Sequence, residues 1–194
     1  MPHHRLTQIL LAAACAAALA GCNADSNDTP ITPSNRENNN HQKNDPFSPE
    51  KPVKLGAISD PCKLLNSDQI EALGAGKPNP SGKSPWGQKK CEWRNDKYSI
   101  SISPDTKQGH GLRSTARIYG DENSEPDTEI RGYPAIHGGK TDLRCSVSVG
   151  TSNKDMFTLH FNVGTKGRDN PEYSDPCAMS DKIAGMVLDN LPPA

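Results

Sequence analysis

The chain has 194 residues, with 22 Lys and Arg against 23 Asp and Glu, for a net charge of −1. That balance offers no concentrated basic surface, so nucleic acid is excluded as an expected partner. Hydrophobic residues make up only 32% and mean hydropathy is −0.75, too polar for a chain packed from end to end.

The N-terminus has the layout of an export signal: His3, His4 and Arg5, an apolar run over residues 9–20, then Leu19-Ala20-Gly21-Cys22. A run of about a dozen residues is short of the roughly 20 that span a bilayer. The small residues before Cys22 match a lipobox, so residues 1–21 are expected to be removed as a lipoprotein signal peptide. Cys22 is then expected to carry a diacylglyceryl group. Two acyl chains hold a protein stably at a membrane where one holds it marginally. The expected location is the extracytoplasmic face of the cell membrane.

Residues 22–56 read as the lipidated cysteine and a disordered tether, rich in Pro, Asn, Ser and Thr. Such segments stay solvated and extended, at up to about 3 Å per residue. Its Thr and Ser residues, and the triplet Asn27-Asp28-Thr29, are weak glycosylation acceptors, and an unmodified spacer is expected.

Residues 57–194 form the expected folded domain, of α+β class. Asp60-Pro61-Cys62 reads as a helix cap with proline at the first position, and Asn66 with Gln69 as a second cap. Leu65 and Ile70 supply a hydrophobic staple, and the helix is expected to reach Leu73 before Gly74. Strands follow over 90–94 and 97–103, with a tight turn at Asn95-Asp96, and Tyr98, Ile100 and Ile102 alternate with serines. Residues 112–119 read as a brief helix. Residues 129–137, 142–149 and 156–163 read as three further strands, the last with Phe157, Leu159, Phe161 and Val163 inward. Asp175-Pro176-Cys177 caps a closing amphipathic helix carrying Ile183, Ala184, Val187, Leu188 and Leu191. The expected architecture is an antiparallel sheet of about five strands, buried on one face. The short N-terminal helix and the C-terminal amphipathic helix cover that face.

Outside the signal and Cys22, four cysteines remain: Cys62, Cys91, Cys145 and Cys177. An even number in an exported chain implies disulfides, and three pairings are possible. Cys62 with Cys91 and Cys145 with Cys177 is favoured, because each pair joins the first turn of a helix to a strand in the same half of the domain. The spacings contain no Cys-x-x-Cys, so neither a redox site nor structural zinc is expected.

No catalytic constellation is read. Gly82-Lys83-Ser84 lacks the upstream glycine and strand of a phosphate loop, and Ser48-Pro49-Glu50-Lys51 lies in the tether, where nothing lowers a lysine pKa. His110, His137 and His160 read as surface or edge-strand histidines, with His160 facing away from the core. No metal or cofactor is expected. Trp86, in a Gly/Pro/Ser loop, and Tyr133 are the only candidate binding residues.

Asp60-Pro61-Cys62-x-Leu64-Leu65, Cys91-x-Trp93, Gly132-Tyr133-Pro134-Ala135, Cys145-x-Val147-x-Val149-Gly150 and Asp175-Pro176-Cys177 occur in that order. The ordered set resembles a domain-of-unknown-function family of actinobacterial exported lipoproteins with paired Asp-Pro-Cys motifs. The resemblance spans essentially the whole domain and implies an exported lipoprotein with two disulfides. It brings no catalytic residues. Residues 108–120 depart from that family's more apolar helix, holding Gly109 and Gly111 instead.

The functional expectation is a membrane-anchored, non-enzymatic binding or accessory module that contacts an envelope protein, lipid or glycan. The alternative is an envelope hydrolase or transferase whose carboxylates, among Asp121, Glu122, Glu125, Asp127 and Glu129, meet only in the fold.

Overall fold

The computed structural model describes residues 45–80, 82–119 and 124–194. The expected signal over 1–21, Cys22, the tether as far as 44, and Asp121 and Glu122 of the acidic run lie outside the described residues. Among the described residues no helix is long and apolar enough to cross a membrane.

The two proline-led caps form as their sequences dictate. Asp60 accepts a hydrogen bond from the Cys62 amide at 3.0 Å, opening a 3-10 turn over Pro61–Lys63. The second expected cap then forms at Asn66. Asn66 adopts an extended conformation and starts a separate helix, α1, over Ser67–Leu73. Its side chain accepts from the Gln69 amide at 2.9 Å while the Gln69 side chain accepts from the Asn66 amide at 3.0 Å. This reciprocal cap contributes about 1 kcal/mol. Gly74, at φ 62°, ends the helix in the left-handed conformation that glycine tolerates.

The described residues build one antiparallel sheet: β1 (Pro78–Asn79), β2 (Cys91–Arg94), β3 (Tyr98–Asp105), β4 (Thr128–Ile130), β5 (Tyr133–Thr141), β6 (Arg144–Gly150) and β7 (Met156–Val163). Their order is β1-β2-β3-β7-β6-β5-β4. Seven strands therefore replace the expected five, for two reasons. The segment expected as one strand over 129–137 reverses at Arg131-Gly132, where both residues have positive φ, 55° and 83°. A two-residue turn with that geometry matches the twist of a hairpin. The other addition, β1, is too short to carry any alternation.

Helix α3, Pro176–Asp189, is the main cover of the core face. Asp175 caps it by accepting from the Cys177 and Ala178 amides at 2.9 and 3.0 Å. Ile183, Ala184 and Val187 are wholly buried with Trp93, Ile100, Ile102, Val147, Leu159 and Phe161. Each such large side chain contributes about 1.5–3 kcal/mol of burial. Helix α1 sits beside the C-terminal part of α3 and has no buried residue of its own, so it flanks the core. The Gln69 side chain donates to the Met186 carbonyl at 3.1 Å.

Cys62 pairs with Cys91 and Cys145 with Cys177. Each bond ties an Asp-Pro-Cys segment to a strand on the core face. In the first pair that segment is the 3-10 turn rather than the first turn of α1.

The sheet is not one-faced. A second, smaller core of Phe47, Leu112, Ala116 and Ile136 covers one end of the opposite face. It is carried by α2, Arg113–Tyr119, and the Arg113 guanidinium lies 4.5 Å above the Phe47 ring. The packed region therefore begins before residue 57: Phe47, Val53 and Leu55 are buried, and Val53 bridges Pro193. These isolated apolar residues form no periodic pattern, which is why the segment reads as tether by composition.

Candidate functional site

Strand register decides which polar residues meet on the face opposite α3. Gly138, Ser146, His160, Ser101 and Glu92 are successive cross-strand partners from β5 to β2. Arg144, Asn162, Ser99 and Arg94 form the next row. Because side chains alternate across a strand, both rows point away from Phe161, Leu159 and Val147. Ser99 and Ser101 are half-buried on this face, and Glu92 and Arg94 pair at 2.5 Å along one flank.

At the other flank lies a cavity of about 220 Å³ lined by Tyr119, Gly138, Arg144, Ser146, His160 and Asn162 among others. Gly138 lets the Tyr119 ring sit against the sheet there: a Cβ would stand 2.7 Å from Tyr119 Cζ. The Ser146 hydroxyl is committed to the Gly138 carbonyl at 2.9 Å. The side chains of Tyr119, Arg144, His160 and Asn162 have no partner among the described residues. Desolvation, with the Lys90 ammonium adding to it, pushes the His160 pKa down, so the ring is neutral at pH 7. These groups provide a cation and several neutral donors, and among the described residues no carboxylate lines the cavity.

His137 behaves differently from its expected surface role. Cross-strand from Val147, it points to the α3 side, and its side chain is only 9% exposed. Its Nε2 lies 2.8 Å from Asp181 of α3 and its Nδ1 3.4 Å from Asp127. Asp127 also accepts from the His137 amide at 3.0 Å. The hydrogen bond to Asp181 raises the His137 pKa most, followed by the charges of Asp181 and Asp127, against opposing desolvation and Lys140. A raised folded-state pKa means that the stabilisation is complete below the ordinary value of 6.5 and is lost as pH rises through the folded-state value. Asp181→Asn is therefore expected to destabilise the domain by about 1 kcal/mol near pH 6, the partly exposed carboxylates limiting the figure. By pH 9 the difference from wild type shrinks. Urea unfolding at the two pH values checks this, and a pH-independent difference contradicts it.

The His137 ring nitrogen and the sulfurs of Cys145 and Cys177 lie within 4.8 Å of one another. Both sulfurs are joined in the disulfide, so the group offers a metal a single imidazole. His110 is exposed, and His160 faces away from the core as expected.

The two sequence candidates for binding do not form one surface. The half-buried Trp86 donates its indole N–H to the Pro104 carbonyl at 2.8 Å, which holds the ring against β3. Tyr133 packs at the edge of the core, and burial raises its phenol pKa. Strands β3 and β5 are separated by β7 and β6. Of the described acidic run, Asp127 meets His137 while Glu125 and Glu129 are exposed. The polar rows were present in the sequence as alternating serines, but the pattern does not say which distant residues complete each row.

Fold and face together define a small α+β domain closed by two disulfides, with one stretch of its sheet open to solvent. The chain belongs to the family described as "Protein of unknown function (DUF3558)", which it matches over residues 17–190. No curated protein and no solved structure matches it.

Proposed function

We propose that this chain is an exported lipoprotein, lipidated at Cys22 and held on the extracytoplasmic face of the cell membrane. Its domain serves as a non-enzymatic binding or accessory module of the envelope. The lipobox ending in Cys22 supports the anchor, and two disulfides suit an oxidising compartment outside the cytoplasm. The observation that carries the binding role is the open sheet face, where donor side chains stand beside a cavity without a partner among the described residues.

An envelope hydrolase or transferase is the second reading, favoured by the Asp127–His137–Asp181 arrangement. A histidine oriented by carboxylates is half of a nucleophile-activating device. The sulfurs beside it, of Cys145 and Cys177, are bonded to each other, and the Ser180 hydroxyl on α3 donates to the Cys177 carbonyl at 2.8 Å. The binding reading is therefore preferred.

A photo-crosslinking residue placed at Ser101 in the lipidated protein tests it, with the same residue at Lys182 on α3 as the comparison. Adducts with an envelope component are expected from position 101 and not from 182. Equal yields from both positions, or none from 101, contradict the binding role of this face.

A further inference from the structure

We propose that the cavity beneath Tyr119 is a ligand site for a single hexose-sized polyol that carries one oxyanion, a carboxylate or a phosphate. The proposal rests on the binding-module reading and adds the chemistry of the ligand. Three features of the cavity select that chemistry.

The first is charge. Arg144 projects from the second polar row with no ion pair among the described residues, and no carboxylate is among the described residues that line the cavity. A free guanidinium fork recognises a carboxylate or phosphate through two parallel hydrogen bonds. Lys90 is near enough to influence the His160 ring electrostatically, so the surroundings reinforce the positive sign.

The second is the supply of neutral hydrogen-bonding groups. Asn162 lies directly across from Arg144, and His160 across from Ser146. The Asn162 amide, the neutral His160 ring and the Tyr119 phenol both donate and accept, as hydroxyl groups require. A bare inorganic anion uses the arginine and leaves most of these groups unmatched.

The third is size and shape. A cavity of about 220 Å³ admits one sugar ring and not an oligosaccharide chain. Its wall is the Tyr119 ring seated over Gly138, where any Cβ would collide with it. An aromatic face beside polar groups matches the mixed surface of a sugar, which has apolar C–H patches between its hydroxyls.

Calorimetric titration of the full chain carrying Cys22→Ala, which removes the lipidation site, tests the proposal. The ligands are glucuronate and glucose 6-phosphate, with glucose and inorganic phosphate as comparisons. Saturable one-site binding of at least one charged sugar is expected, at least tenfold tighter than either comparison. Arg144→Ala should weaken it at least tenfold without moving the melting temperature, because the side chain is exposed and has no partner among the described residues. Asn162→Ala should weaken it severalfold, and Arg144→Lys should not restore the loss, since an ammonium lacks the fork. Absence of saturable binding by both charged sugars overturns the proposal. So does binding unaffected by Arg144→Ala, or binding of glucose or inorganic phosphate as tight as that of the charged sugars. Crosslinking from Ser101 without any charged-sugar binding defeats the ligand assignment alone, whereas loss of both defeats the binding role itself.

Discussion

Replacing both Cys145 and Cys177 with alanine is expected to lower the melting temperature of the domain by about 10 °C. The bond joins residues 32 apart in sequence, and closing a loop of that length removes about 3–4 kcal/mol of chain entropy from the unfolded state. For a domain of this size each kcal/mol moves the midpoint by about 2–4 °C. The native state loses as well, since the bond pins the first turn of α3 to β6 at the edge of the packed core. The Cys62–Cys91 bond closes a loop of similar length, with a separation of 29. Removing both approaches the entire net stability of a typical domain, about 5–15 kcal/mol. Thermal melts by circular dichroism should therefore show one cooperative transition for the oxidised protein and a largely unfolded protein in excess dithiol at 37 °C. A reduced protein that melts within a few degrees of the oxidised one contradicts this view of how α3 is held.

Those bonds were legible because local chemistry announced them. Asp60 and Asp175 each precede a proline and a cysteine, and both aspartates cap as such a tripeptide predicts. The period-two pattern of β3 and β7 and the apolar spacing of α3 were equally readable, since burial on one side imposes them. What sequence reasoning missed lies where short-range pattern fails. The 129–137 segment looks continuous by residue type, and only Gly132 hints at the reversal next to Arg131. Phe47, Val53 and Leu55 are scattered among polar residues, yet each finds a buried place through contacts far along the chain.

The site was less legible than the fold. His137 looks like an edge histidine until the register sets it beside Val147 and beneath Asp181. Arg144, His160 and Asn162 belong to two strands joined by a turn, and their common face could be read from alternation. Tyr119 could not, because it arrives from helix α2 and meets Gly138 only in the fold. Trp86 drew attention as an exposed loop aromatic, but its indole N–H is spent on Pro104. A residue type associated with binding is a weaker guide than a set of unpaired donors sharing one cavity.

The proposed anchor would carry the stapled domain outside the membrane, with its open sheet surface available to envelope components. In the proposed anchor two acyl chains supply the hydrophobic transfer energy that holds the protein in the bilayer, about 0.8 kcal/mol per buried methylene. The most direct measurement is detergent phase partitioning of wild type and Cys22→Ala expressed in a bacterial host, with intact mass of the purified products. Wild type is expected in the detergent phase with a diacylglyceryl mass on Cys22, and the variant in the aqueous phase. A variant that still partitions with detergent, or a wild-type protein without the added mass, contradicts it.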